Sequence, residues 1–229
     1  MKVHFIHHSG FFVETAGAYL LFDYFEGVLP EADKTKPIFL FASHSHGDHF
    51  SARIFEIGSA YANAHYILSD DIPKSRVPKA AAEKTLWVSP YQKEVWDGIE
   101  IETLQSTDMG VAFLVKADGK WLYHAGDLNC WTWNGAPHAQ NLQMEQLYRA
   151  ELQALADKNI FAAFVPLDPR QEDFYDRGMR HFLEIATAAH VFPMHMWGDF
   201  SGTALFQSQY PQYTEKLLPV CGDGDVFEI

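Results

Sequence analysis

The chain has 229 residues, of which 48% are hydrophobic and 15% aromatic, ample for a packed core and too apolar for a disordered chain. Its formal net charge of −13 argues against a nucleic-acid partner, which needs a basic face to neutralise phosphates, and against docking on anionic lipid. The only cysteines, Cys130 and Cys221, exclude a disulfide scaffold and point to free thiols in a reducing compartment.

The N-terminal stretch MKVHFIHHSG has one lysine, no long apolar centre and no cleavage site, so no signal peptide is expected. No apolar run approaches the length of a membrane span, and the expected location is cytoplasmic. KVHFI, GFFVET and AYLLFD are short, rich in Phe, Val, Tyr and Leu, and broken by Ser-Gly and Ala-Gly, the pattern of strands. KPIFLFAS is a continuous apolar run that reads as a strand buried on both faces. FSARIFEIGSAYAN reads as helix, AHYILS as strand, and KTLWVS and GIEIETLQS as two more strands. VAFLVKADGKWLYHAGD is a hairpin with Asp118-Gly119 in its turn. Residues 139–158 form the clearest helix, with Met144, Tyr148, Leu152 and Leu155 at i+3 and i+4 spacing. Then come IFAAFVPLD as strand, YDRGMRHFLEIATAAH as helix, VFPMHM as strand and GTALFQSQY as a short helix. No repeat or Pro/Gly/Ser-rich linker divides the chain, so one domain over 1–229 is expected, with two sheets and helices outside them.

The chemistry concentrates in FASHSHGDHF, residues 41–50, at the end of the buried strand. His44 and His46, two apart, point to one side of an extended chain and supply half of a tetrahedral zinc site. Asp48 and His49 follow where the chain turns toward a helix, and Gly47 is expected to permit the tight path between the pairs. Ligating groups this close repel one another unless a cation collects them. Asp127 ends the second strand of the hairpin after a glycine, where backbone approaches a ligand closely. His124, three residues earlier, is expected to face away from it, in packing or behind the site.

HSHGDH resembles the His-x-His-x-Asp-His signature of the metallo-β-lactamase superfamily. The other landmarks lie in matching order: Asp23 in LLFD resembles the strand-end aspartate that supports the metal site, Asp127 in YHAGD the bridging aspartate, and His195 in FPMHM the histidine completing the second metal. The resemblance covers essentially the whole chain and implies an αββα sandwich, α/β in class, with its site at one edge of the two sheets. HHSGFFVE looks most like the branch containing the ascorbate-phosphate lactonases, and by that analogy His8 lies near the site.

The family pattern has a further histidine after GIEIETLQ; this chain has STDMG there. The resemblance then leaves the first metal with His44, His46 and a share of Asp127, its remaining position falling to Asp108, to a water or to nothing. One or two Zn²⁺ ions are implied, and a carboxylate at Asp108 also favours Mn²⁺ or Fe²⁺. The second metal would be held by Asp48, His49, Asp127 and His195.

The implied activity is hydrolysis of a small ester, lactone or phosphodiester by a metal-activated water. Asp48 would orient that water and accept its proton, in competition with ligation. Arg170 in LDPR is a candidate clamp for an anionic substrate, and Trp131 and Trp133 in NCWTWNG are candidate pocket walls. The alternatives are a nuclease or phosphodiesterase on the same scaffold, opposed by the acidic charge, and a non-catalytic metal-binding sensor or scaffold, supported by the missing histidine. Substrate and oligomeric state are not legible.

Overall fold

Alternation of large side chains along the first strands separates two packing surfaces in the computed structural model, which describes residues 1–229. In β2 (Gly10–Glu14), Phe11 and Val13 enter the central core while Phe12 turns to the opposite face. In β4 (Ile38–Ala42), Phe39 and Phe41 point inward and Ile38, Leu40 and Ala42 outward. A period-2 strand with apolar residues at every position must be covered on both sides. The inner face packs on the second sheet, through contacts such as Phe11 on Phe164 with ring centroids 4.3 Å apart. The outer face packs on Ile54 and Phe55 of helix α1 (Arg53–Ser59).

The first sheet continues with β1 (Lys2–His7), β3 (Tyr19–Phe22), β5 (Ala64–Ser69) and β6 (Thr85–Val88), in the order β13-β1-β2-β3-β4-β5-β6, where β13 is Val226–Glu228. The second sheet contains β7 (Lys93–Trp96), β8 (Ile99–Gln105), β9 (Val111–Ala117), β10 (Lys120–His124), β11 (Asn159–Pro166) and β12 (Thr187–Met194), in the order β12-β11-β10-β9-β8-β7. Helix α4 (Arg177–Ile185) covers its outer face, where Phe182 stacks on Tyr123 at 5.4 Å, and α3 (His138–Leu152) packs against α4. The result is the αββα sandwich.

Strand direction decides where the chemistry collects. β3 and β4 are parallel, as are β10, β11 and β12; β8 runs with β10 because both are antiparallel to β9. Their C-terminal ends share one rim of the sandwich, together with the turn between antiparallel β1 and β2. That rim receives His8, Asp23, the 43–49 loop, the 106–110 loop, Asp127, Asp168 and His195.

Departures from the sequence reading have local causes. Helix α4 stops at Ile185 instead of running to residue 190, because Thr187 onward pairs with β11 and the ladder outweighs the helix propensity of the alanines. Helix α1 is shorter than its 50–63 stretch, and α3 ends at Leu152 before a 3₁₀ turn at Gln153–Leu155. The short helix α2 (Lys79–Ala82) and strands β7 and β13 were not expected; both strands lie at sheet edges, are short and largely exposed, and carry little apolar pattern. Helix α5 (Ser201–Gln209) falls where GTALFQSQY placed it.

Two glycines seat the rim. Gly110, at φ 67°, approaches the first loop so closely that a Cβ would stand 2.0 Å from the Ser43 carbonyl oxygen, which accepts from the Val111 N–H at 2.9 Å. Gly126, at φ 51°, itself lies so close to Ser43 that a Cβ there would stand 2.6 Å from the Ser43 Cβ. Gly47 is different: its φ is not positive and a Cβ there meets nothing within 4 Å, so the 44–49 turn does not require glycine. Gly110→Ala is therefore expected to lower stability by about 2–4 kcal/mol, and Gly47→Ala by no more than about 0.5 kcal/mol. Equal urea midpoints for the two variants would contradict this.

Candidate metal centre

The loop after β4 is anchored from behind by Asp23, a fully buried carboxylate at the end of β3. Asp23 accepts the Ser43 N–H at 2.7 Å and the Ser43 hydroxyl at 2.6 Å, and it holds His49 Nδ1 at 2.7 Å. The His46 carbonyl accepts the N–H groups of His49 and Phe50 at 3.1 and 2.9 Å, so the chain turns back on itself and carries His49 to the same side as His44. On the second sheet the indole of Trp131 donates to the Asp127 carbonyl at 2.9 Å. Asp168, fully buried, lies 3.0 Å from His195 Nδ1.

These contacts collect two groups of donors. His44, His46, Asp108 and Asp127 form one, and His8, Asp48, His49 and His195 the other, with the ligating atoms of each group within 4.8 Å of one another. Asp127 stands between them. Its Oδ2 is 3.4 Å from His44 Nε2, and its Oδ1 is 3.1 Å from His49 Nε2 and 3.2 Å from His195 Nε2. One carboxylate thus offers an oxygen to each group. His8, Asp23 and His195 all have positive φ, at 56°, 42° and 64°, a conformation that costs a non-glycine residue free energy and concentrates at functional sites.

The electrostatics follow from burial. His8 is pushed down to about 2 by burial and by the nearby His195 and His49. His44 is lowered by burial and by His49. Burial also opposes charge on His49 and His195, yet the carboxylates against them hold both above the ordinary imidazole value: Asp127 and Asp23 at His49, Asp127 and Asp168 at His195. Asp127 is held well below the carboxylate range by His49 and His195 despite its burial.

The donor set fits divalent cations. His8 Nε2, His49 Nε2, His195 Nε2 and Asp127 Oδ1 are buried without a hydrogen bond of proper geometry, the 3.1 and 3.2 Å approaches of Asp127 Oδ1 to His49 and His195 included, and all four belong to this cluster. Buried polar atoms are nearly always satisfied, and four failures around one point mark a ligand site. The other ring nitrogen of His49 and of His195 faces a buried carboxylate, the arrangement that fixes the tautomer of a metal-ligating imidazole. Imidazole and carboxylate donors suit zinc, manganese and iron. The group open to solvent lies on one side, where His46 and Asp108 have side chains 44% and 46% exposed. There a cleft of about 410 Å³ opens, walled by Trp131, Trp133, Trp197, Met144 and Arg170.

Of the residues singled out from sequence, His44, His46, Asp48, His49, Asp108, Asp127 and His195 are brought together. Asp108, from the stretch that lacks the expected histidine, lies in the first group, while Ser106 is buried and its hydroxyl accepts the Asp108 N–H at 3.1 Å. His8 stands closer in than expected, as a full member of the second donor group. Arg170 is not a free clamp: its Nε and Nη2 are engaged with the Asp168 carboxylate at 3.0 and 2.5 Å. Trp131 and Trp133 line the cleft as expected, and His124 is buried in the core, stacked on Phe22 with its Nε2 at 2.9 Å from the Ser9 carbonyl. Met144, read as core, lies on the cleft wall. Asp168 and Trp197 were missed; Asp168 was signalled by its place at a strand end in the LDPR stretch.

Residues 2–135 match the sequence family described as the beta-lactamase superfamily domain. A UPF0173 metal-dependent hydrolase of Pyrococcus abyssi is 30% identical over 144 residues, a match covering 56% of this chain and 61% of that protein; the chain thus spans about three fifths of the length of the curated relatives it matches. Among solved structures, Igni18, a metallo hydrolase from Ignicoccus hospitalis, superposes with a TM-score of 0.64 at 18% identity, over 100% of this chain and 98% of that one. CmlA, a diiron β-hydroxylase from Streptomyces venezuelae, gives 0.70 at 9% identity over 100% of this chain and 54% of that one. At such identities these two likenesses speak for the fold.

Asp168→Ala removes the carboxylate facing His195 Nδ1 and is expected to weaken zinc at the second group by about 10–100-fold, leaving the His44 group unchanged. Zinc titration of the apoprotein reads both affinities. Two unchanged affinities would show that Asp168 does not position His195.

Proposed function

The chain belongs to the metallo-β-lactamase superfamily, and from that premise we propose that it is a metal-dependent hydrolase acting on a small ester, lactone or phosphodiester, with zinc at two adjoining positions. The observation that carries this reading is Asp127, whose two oxygens face two donor groups at 3.1–3.4 Å while the adjoining cleft stays open. A structural zinc is closed by its ligands; a catalytic one keeps a position for water or substrate.

Cations bound there supply Lewis acidity toward the scissile carbonyl or phosphoryl oxygen and lower the pKa of a coordinated water toward neutrality. The chain's residues do the rest. His44, His46 and Asp108 on one side and His8, His49 and His195 on the other would hold the cations, with the Asp127 carboxylate between the two groups. Asp23 and Asp168 keep the protons of His49 and His195 on Nδ1, so that Nε2 is left to ligate. Asp48 lines the cleft with its Oδ2 3.6 Å from His8 Nε2. It orients the attacking water and takes up its proton, then returns that proton to the leaving oxygen.

One observation favours manganese or iron as a second reading of the metal: Asp108 supplies a carboxylate to the first donor group, where the family pattern has histidine. Metal analysis of protein purified without chelator separates zinc from manganese and iron.

The function is tested by hydrolysis of 4-nitrophenyl acetate and bis(4-nitrophenyl) phosphate with and without zinc. Turnover is expected to require metal. Asp127→Ala is expected to lose both metal and activity, and Asp48→Asn to keep the metal and lose about 10²–10⁴-fold in kcat. A fully active Asp127→Ala variant with a native circular dichroism spectrum would refute the reading.

A further inference from the structure

The cleft beside the donor groups has walls that the metal chemistry does not explain. Trp131 and Trp133 lie with parallel rings, 7° apart in plane and 6.2 Å between centroids. Trp197 faces the same space from the opposite strand end, and Met144 of α3 lies on its margin. Trp133 is 38% exposed and Trp197 51% exposed, so neither indole is held there by core burial.

Trp197 is also held in a costly conformation. Its φ is 52°, in the left-handed region, where a bulky residue is rare and glycine or asparagine would be relaxed. Burial does not offset that strain for a half-exposed ring. What the conformation achieves is to lay the indole against the His8 ring, with centroids 4.5 Å apart, and under the Arg170 guanidinium at 4.5 Å. Arg170 completes the wall as a flat stacking surface. Its charge is already matched by the buried Asp168, whose carboxylate it meets through Nε and Nη2. The remaining titratable side chains lining the cleft are His46, His195 and the carboxylates Asp48, Asp108 and Asp127, all in the donor groups. Away from the donors, then, the cleft offers π faces, a thioether, the Gln140 amide, a Thr107 hydroxyl already donating to the Asn129 carbonyl, and a guanidinium paired with Asp168, but no free cation for an anionic tail.

Resting on the hydrolase reading, we propose that the substrate carries a flat, uncharged aromatic group next to its scissile bond, lodged against Trp133 and Trp197 while the scissile group reaches the donors. The cleft volume of about 410 Å³ suits a small aryl compound. Stacking on tryptophan faces favours such a group over an alkyl chain of equal reach, and the absence of an unpaired cation disfavours a carboxylated or phosphorylated tail.

Two chelators with the same metal-binding head test this without turnover: benzohydroxamic acid and acetohydroxamic acid, titrated calorimetrically into the zinc-loaded protein. The aryl compound is expected to bind roughly tenfold tighter or better. Trp133→Ala and Trp197→Ala are each expected to reduce that preference severalfold while leaving acetohydroxamate affinity unchanged, which also shows that the variants remain folded and loaded. A further probe, 4-carboxybenzohydroxamic acid, is expected to lose affinity relative to the unsubstituted aryl compound. Equal binding of the aryl and methyl compounds to the wild type, or an aryl preference that survives both substitutions, would overturn the aromatic site and leave the metal centre standing. Binding of neither compound would overturn the metal reading, and the inference with it.

Discussion

The placement of Asp127 between two sets of imidazoles is the constraint on which the rest of this molecule depends. Five histidines and three aspartates converge on one rim of the sandwich, most of them buried. Imidazoles this close, if charged, repel; if neutral and unpaired, they forfeit hydrogen bonds that water would supply. A single buried carboxylate relieves part of this by facing His44, His49 and His195 at once. It cannot satisfy them all, and four buried donor and acceptor atoms are left without partners. A divalent cation among these donors would relieve that conflict.

The scaffold is arranged to hold this cluster against its own repulsion. Each sheet contributes a buried carboxylate behind a histidine, Asp23 behind His49 and Asp168 behind His195, and each carboxylate is itself tied down, by Ser43 in the first sheet and Arg170 in the second. The two halves meet where Gly110 and Gly126 allow the second sheet's loops to press on Ser43. Left-handed backbone at His8, Asp23, His195 and Trp197 adds a local cost that the surrounding core supports. The core that supplies this support is the shared aromatic interior, with Phe11, Phe22, Phe41, Phe113 and Phe164 packed between the sheets.

Much of this was legible because the relevant signals are local. The HSHGDH spacing is read within six residues, and the doubly buried β4 before it announces itself as an apolar run. The hairpin turn at Asp118-Gly119 fixed the register that delivers Asp127. Other features depend on contacts that no local pattern encodes. His8 looked peripheral because its role needs the β1–β2 turn brought against His195, whose N–H donates to the His8 carbonyl at 3.0 Å. Arg170 read as a substrate clamp because its partner Asp168, only two residues away, was not recognised as the support of a histidine 27 positions later. Gly47, from its place in the motif, reads as permitting a tight backbone path, whereas the structure leaves open space around it and gives it no positive φ. The end of α4 was misjudged because an alanine-rich stretch favours helix until a neighbouring strand offers a ladder.

Whether Asp127 joins two cation positions is decided by anomalous diffraction at the zinc edge from crystals grown with zinc. The expected result is two peaks about 3.5–4 Å apart, one between His44, His46 and Asp108 and the other between His8, His49 and His195, with an Asp127 oxygen directed at each. A single peak, or two peaks that leave Asp127 outside the coordination of either, would contradict it.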